Sequence, residues 1–121
     1  MATVRFLREA QEDYARLDGS RKKWVAAAIH RLEERGGEIG EALSKSASAD
    51  LRGYRKLKNN QNGLRIIFRE NTSGQLEIIE IIVIGKREDF EVYRTAGKRI
   101  AELQDQYEVL SNETHLKRPG K

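Results

Sequence analysis

Cysteine is absent from this chain of 121 residues, and proline occurs only once. Without cysteine, disulfides and thiolate chemistry are excluded, and we expect a cytoplasmic location. The two histidines, His30 and His115, are far apart in sequence and match no spacing of metal ligands, so we expect neither a metal nor another cofactor. Long apolar runs are also missing. Residues 78–84 form the most apolar stretch, Glu80 interrupts it, and we expect no membrane partner.

The chain is instead rich in charge. Charged residues make up 35% of it and hydrophobic residues 38%, which is typical of a single small domain with one lean core. The formal net charge is +4 and the isoelectric point is near 9.5, which favours an anionic partner such as nucleic acid or an acidic protein. Basic side chains are concentrated in one stretch that contains no acidic residue: Arg52, Arg55, Lys56, Lys58, Arg65 and Arg69.

The first third of the chain shows one strand pattern and two helix patterns. Residues 3–7 form a short segment that is apolar enough for a strand. Apolar residues then recur at helical spacing in residues 7–17 and 21–35, which predicts two helices. The Asp-Gly-Ser sequence between them predicts a break, and we expect Ser20 to cap the second helix. Two helices on so short a connection form an antiparallel hairpin.

The second half of the chain predicts three more strands and a last helix. The strands are residues 51–58, 64–69 and 75–84, and the last of them carries isoleucines on both faces, so we expect it to be covered on both sides. Residues 91–109 have helical spacing, and Leu103, Tyr107 and Leu110 would form an apolar stripe near the end of the helix. The order β-α-α-β-β-β-α predicts an α+β fold, a small antiparallel sheet backed by the helical hairpin.

Short motifs follow one another along this half of the chain. They are LRGY at residues 51–54, KLK at 56–58, GLRIIF at 63–68, IGKR at 84–87, EVY at 91–93 and AGKRI at 96–100. Each motif alone has little specificity, but the series in this order resembles the RelE/ParE superfamily of bacterial toxins from toxin–antitoxin systems. The resemblance covers residues 1–100, interpreted as a RelE-like toxin domain, and residues 101–121 then form a C-terminal helical extension and a polar tail.

The resemblance implies an activity, partners and site residues. The RelE branch cleaves messenger RNA in the ribosomal A site, so the implied partners are a cognate antitoxin, the ribosome and mRNA. Five residues match the catalytic set of that branch: Lys56, Lys58, Arg65, Arg87 and Tyr93. Three further residues are implied in RNA binding: Arg52, Arg69 and Lys86. Arg87 matches the residue that protonates the leaving group, whereas Tyr93 could either stack on a base or share in proton transfer.

The residue types fit metal-independent attack of a 2′-hydroxyl on the adjacent phosphate. Such a reaction needs a base, positive charge on the phosphate and an acid for the leaving oxygen. Lys56 and Lys58 share the strand face opposite Leu57 and are about 7 Å apart along the strand. Like-charge repulsion with Arg65 would favour loss of a proton from one of these lysines. Arg65 itself stays charged and suits the phosphate.

Two other functions remain open at the level of the sequence. The chain could be a ParE-type toxin that inhibits DNA gyrase by binding it, which does not depend on this basic set. It could also be a catalytically inactive, toxin-like partner that binds nucleic acid. The intact set of lysines, arginines and tyrosine favours the nuclease. We further expect Glu80 to be a paired polar group rather than a catalyst.

Overall fold

The computed structural model describes residues 2–45, 49–73, 76–86 and 91–116. Within these residues, five strands and three helices follow one another along the chain. They are β1 (Ala2–Phe6), α1 (Arg8–Ala15), α2 (Gly19–Arg35), β2 (Glu41–Ala42), β3 (Tyr54–Asn59), β4 (Leu64–Ser73), β5 (Leu76–Lys86) and α3 (Glu91–Leu116), with a short 3-10 helix at Gly37–Ile39. None of the described helices has the length and apolarity needed to cross a membrane.

The strands form one sheet in the order β1-β5-β4-β3-β2. β3, β4 and β5 are antiparallel neighbours, as predicted, and the α+β fold class is confirmed. Two features differ from the sequence prediction. β1 pairs with β5 in parallel, so the sheet is mixed rather than antiparallel. The connector after α2 also contributes β2, a two-residue edge strand that pairs with β3.

One face of the sheet, called here the hairpin face, is covered by α1 and α2. Helix α2 buries Val25, Ala28 and Leu32, which recur at helical spacing, and α1 adds Ala10. These side chains join strand residues in a continuous core: Ala2, Leu57, Leu64, Ile66, Phe68, Ile79, Ile81 and Ile84. The helical hairpin predicted from the sequence therefore lies where it was expected.

The opposite face, called here the α3 face, is covered by the last helix. Val92, Ala96 and Ile100 of α3 pack on strand and loop residues in a second core: Leu51, Ile67, Ile82 and Val83. β5 therefore has buried side chains on both faces, which confirms the prediction made from its isoleucines. The pairing of β4 with β5 shifts by one residue between Ile67, which pairs with Val83, and Phe68, which pairs with Ile81. This bulge puts both Ile82 and Val83 into the second core.

Two local details differ from the sequence prediction. Asp18, not Ser20, caps α2, because its Oδ1 accepts the N–H of Arg21 at 2.9 Å and the helix already begins at Gly19. The strand predicted from residue 51 begins only at Tyr54. Residues 51–53 form a turn, in which the N–H of Tyr54 donates to the Leu51 carbonyl at 3.0 Å and Gly53 has φ 90°. That φ is readily adopted only by glycine.

A buried ion pair joins α3 to α1 and to β5. The two guanidinium nitrogens of Arg99 donate to the Asp13 carboxylate at 2.7 and 3.1 Å, and the side chains are only 14% and 9% exposed. Asp13 also accepts the N–H of Ile84, and Arg99 donates to the Ile82 carbonyl. These backbone groups belong to the part of β5 beyond its pairing with β1, which ends at Ile81. The pair therefore satisfies buried strand groups and fixes the position of α3.

Helix α3 continues beyond the end predicted at residue 109 and runs to Leu116. Leu103, the first residue of the predicted apolar stripe, is half-buried. The side chains of Tyr107 and Leu110 lie outside the described residues. The division into residues 1–100 and 101–121 stays a prediction.

Candidate nucleic-acid interface and active site

Lys56, Lys58, Arg65 and Tyr93, called here the basic cluster, come together from β3, β4 and the first turn of α3. The strand register pairs Lys58 with Arg65 and Lys56 with Ile67. Residues directly opposite each other in an antiparallel pair share a face, so these side chains lie on the α3 face. The structure thus brings together four of the five residues expected to be catalytic.

Lys56 contacts Tyr93 directly. The Lys56 ammonium donates to the Tyr93 hydroxyl at 3.2 Å and lies 5.6 Å from the centre of its ring. Both side chains are half-buried. Because this contact joins β3 to the start of α3, the position of the helix sets the distance between a phenol and an ammonium group that can exchange a proton.

Arg65 is the buried member of the cluster. The residue is only 3% exposed, and its Nη1 donates to the carbonyl of Leu64 at 3.0 Å. Its Nε has no hydrogen-bond partner among the described residues, and no described carboxylate forms an ion pair with it. A buried guanidinium without an anionic partner is costly. Phosphate is one of the anions whose geometry matches the donors of a guanidinium.

Lys58 has an acidic partner that the sequence did not reveal. Its ammonium lies 3.2 Å from the Glu41 carboxylate, and the two side chains are 39% and 55% exposed. Glu41 belongs to β2 and pairs with Lys56 in the register. The basic stretch contains no acid in sequence, but the edge strand supplies one in space. No pattern in the sequence around Glu41 indicates this position, because it depends on the pairing of a two-residue strand.

Two of the residues expected to bind RNA are also held in ion pairs. Arg52 donates twice to Asp50, at 2.9 and 2.7 Å, and this arginine lowers the pKa of the Asp50 carboxyl to about 2. Arg69 donates to Glu80 from Nε and Nη2, each at 2.7 Å. The expectation that Glu80 is a paired polar group is therefore confirmed. An RNA phosphate would have to compete with these carboxylates.

Lys86, which was expected to bind RNA, is not in the cluster. Lys86 pairs with Leu64 in the register, and Leu64 belongs to the core of the hairpin face. Lys86 is exposed at the end of β5 and is thus assigned to the opposite face of the sheet from the basic cluster. Arg87 lies outside the described residues. In the described part of the chain, no group of three or more His, Cys, Asp or Glu residues could hold a metal ion.

Comparisons with known proteins fit this architecture. No family model and no curated protein matches the sequence. Among solved structures, a variant of the E. coli toxin RelE in the free state matches with a TM-score of 0.58 and 23% identity, over 83% of this chain and 99% of that one. A YoeB/ParE toxin from Agrobacterium tumefaciens matches with a TM-score of 0.55 and 18% identity, over 70% of this chain and 98% of that one.

A toxin–antitoxin complex also matches. It is RelBE2 from Mycobacterium tuberculosis, with a TM-score of 0.51 and 20% identity, over 71% of this chain and 98% of the matched one. These matches cover almost the full length of each solved chain. The resemblance found in the sequence motifs is thereby confirmed at the level of the structure, and the chain has the fold of the RelE/ParE toxin superfamily.

Proposed function

We propose that this protein is the toxin of a type II toxin–antitoxin system and cleaves mRNA at the ribosomal A site. The observation that carries the proposal is the buried guanidinium of Arg65. It lacks a carboxylate partner among the described residues and lies opposite Lys58 in the strand register. Positive charge that is buried without a partner suits a developing negative charge, such as that on an attacked phosphate.

The proposed reaction is transfer within the RNA. The 2′-hydroxyl loses its proton and attacks the adjacent phosphorus, a new P–O2′ bond forms, and the P–O5′ bond breaks. The leaving 5′-oxygen takes up a proton. The products are a 2′,3′-cyclic phosphate and a free 5′-hydroxyl, and neither water nor a metal ion enters the balance.

The residues divide these tasks by chemistry and position. Lys56 and Tyr93, joined by their hydrogen bond, are assigned to removal of the 2′-hydroxyl proton, for which the pair must first have released one proton to solvent. Arg65 and Lys58 are assigned to the phosphate oxygens. The assignment of Arg87 to protonation of the leaving oxygen rests on the resemblance alone.

Two partners follow from this proposal. The ribosome would align the message, because the basic cluster lies on one face of a sheet and would leave a free RNA strand poorly fixed. A cognate antitoxin would keep the toxin inactive. In support, the matched structures include RelE bound to a peptide of the antitoxin RelB, with a TM-score of 0.51 and 20% identity. Acidic side chains on such a partner would speed its association with the cluster. We place this activity in the cytoplasm.

Primer extension on ribosome-bound message tests the proposal. We expect the purified protein to cut within codons, and we expect Lys56→Ala, Arg65→Lys and Arg87→Ala each to lower the cleavage rate by about a hundredfold or more. Lys98→Ala is the matched control, because Lys98 is exposed on α3. A gyrase supercoiling assay runs in parallel. Intact message together with inhibited supercoiling would contradict the nuclease proposal and support the ParE-type function.

A further inference from the structure

A second concave site lies on the α3 face beside the basic cluster. It is a cavity of about 500 Å³ between residues 49–54 and residues 97–101 in the N-terminal half of α3. Its polar wall consists of Asp50, Arg52 and Tyr54, and its apolar wall of Gly97, Ile100 and Ala101. This volume lies within the range of small-molecule sites, roughly 300–1,000 Å³. The catalytic proposal uses none of its apolar residues.

The cavity lies next to the basic cluster along β3 and α3. Tyr54 precedes Lys56 by two residues on β3, so both side chains lie on the α3 face about 7 Å apart along the strand. Tyr93, in the first turn of α3, contacts Lys56, and Gly97, about one helical turn later, lines the cavity. An RNA strand bound at the cluster and following β3 would therefore have its next nucleotide at the cavity.

The charge of the polar wall indicates which part of a nucleotide would bind there. Arg52 and Asp50 form a bidentate pair, so together they are close to neutral and attract a phosphate weakly. Arg52 uses Nε and Nη2 for this pair, so Nη1 stays available as a donor with respect to the described residues, and the carboxylate oxygens keep lone pairs as acceptors. A wall with both a donor and acceptors matches the hydrogen-bonding edge of a nucleobase.

The apolar wall fits the flat face of a base. Ile100 and Ala101 present aliphatic surface to the cavity. Gly97 lets the helix pack closely on Ala49, another lining residue, because a Cβ at position 97 would lie 2.8 Å from the Ala49 Cβ. The Tyr54 ring borders the same space and packs against the second core, which supports it from one side. Aromatic side chains of this kind serve as stacking surfaces in proteins that bind single-stranded RNA.

From this placement we infer that the cavity bounded by Asp50, Arg52, Tyr54 and Ala101 binds the nucleobase of a nucleotide next to the cleaved phosphodiester. The inference rests on the proposed nuclease function for the identity of the RNA strand. The site itself is a binding site for a base and can be tested without cleavage.

Nuclear magnetic resonance titration with nucleoside 5′-monophosphates tests the site directly. We expect the amide signals of residues 49–54 and 97–101 to shift, and we expect inorganic phosphate at the same concentration to leave them unchanged. Ala101→Tyr would fill the cavity and weaken nucleotide binding about tenfold, the loss expected for one stacked base. Ala27→Tyr, the same change at an exposed position of α2, is the control and should bind as the wild type does.

Cleavage provides the second readout. In the wild type, the base next to the cut should show a preference, and Ala101→Tyr should remove that preference while Ala27→Tyr retains it. Equal shifts with inorganic phosphate, or no shifts with any nucleotide, would overturn the inference even if the protein cleaves RNA. Clear nucleotide binding in a protein that never cleaves message would support the base-binding site and contradict the proposed nuclease function.

Discussion

Replacing Arg99 by leucine should destabilise the protein more than any change to an exposed ion pair. The substitution removes two hydrogen bonds to Asp13 and one to the Ile82 carbonyl. It also leaves the Asp13 carboxylate without the Arg99 cation, although the Asp13 side chain is only 9% exposed. Breaking a buried pair in this way costs about 3–5 kcal/mol of unfolding free energy. A small domain has roughly 5–15 kcal/mol in total, so the variant should still fold.

The chain offers a matched control for this variant. Arg16 contacts the same Asp13 carboxylate at 3.8 Å, but its side chain is 71% exposed. Arg16→Leu should therefore cost at most about 1 kcal/mol. A further variant, Asp13→Asn combined with Arg99→Leu, removes the unpaired charge. The double variant should lose less unfolding free energy than the two single variants lose in sum, because the two residues interact directly.

Urea unfolding followed by circular dichroism measures these differences. If Arg99→Leu lowers the unfolding free energy by about 3 kcal/mol, it should also lower the melting temperature by roughly 10 °C or more. The same variant should reduce RNA cleavage, since α3 carries Tyr93 to Lys56. A loss of stability no greater than that of Arg16→Leu would show that the pair does not hold α3, and the reasoning would fail.

Two further predictions concern carboxylates. Glu41→Gln should release Lys58 and tighten RNA binding about two- to fivefold, as expected for one exposed pair, with a steeper salt dependence in fluorescence anisotropy. Lower cleavage with unchanged binding would instead place Glu41 in the proton transfer. Although Glu70 is exposed, desolvation, and then the neighbouring Glu77 charge, raise the pKa of its carboxyl above the ordinary value of 4.5. The folded state thus holds this proton more tightly, and stability should fall as pH rises above 4.5. Glu70→Gln should reduce that fall in melting curves between pH 4 and 7, and an unchanged fall would contradict it.

Much of this architecture could be predicted from local sequence patterns. The spacing of Val25, Ala28 and Leu32 predicts an amphipathic helix, and the alternation around Leu57 assigns Lys56 and Lys58 to one face. Such patterns work because they depend on the geometry of a single element. The ordered motifs add what periodicity cannot, namely which strands and helices form one fold.

The rest depends on contacts between distant parts of the chain. Asp13 and Arg99 are 86 residues apart, and no local pattern relates them. The parallel partner of β1 and the pairing of β2 likewise follow from the assembled sheet. For the site, the sequence correctly grouped Lys56, Lys58 and Arg65, but it wrongly added Lys86 and missed the carboxylates that meet the cations. Glu41 reaches Lys58 only because β2 pairs with β3.

A message with one 2′-deoxy nucleotide tests the proposed chemistry most directly. The nucleotide on the 5′ side of the mapped cut would carry hydrogen in place of its 2′-hydroxyl, with the codon otherwise unchanged, on ribosomes stalled at that codon. If the basic cluster activates the 2′-hydroxyl, cleavage at this bond should vanish, while the all-ribose message yields a 2′,3′-cyclic phosphate detectable by mass spectrometry. Cleavage of the deoxy-substituted bond at an undiminished rate would contradict the account, because another nucleophile would then have attacked the phosphate.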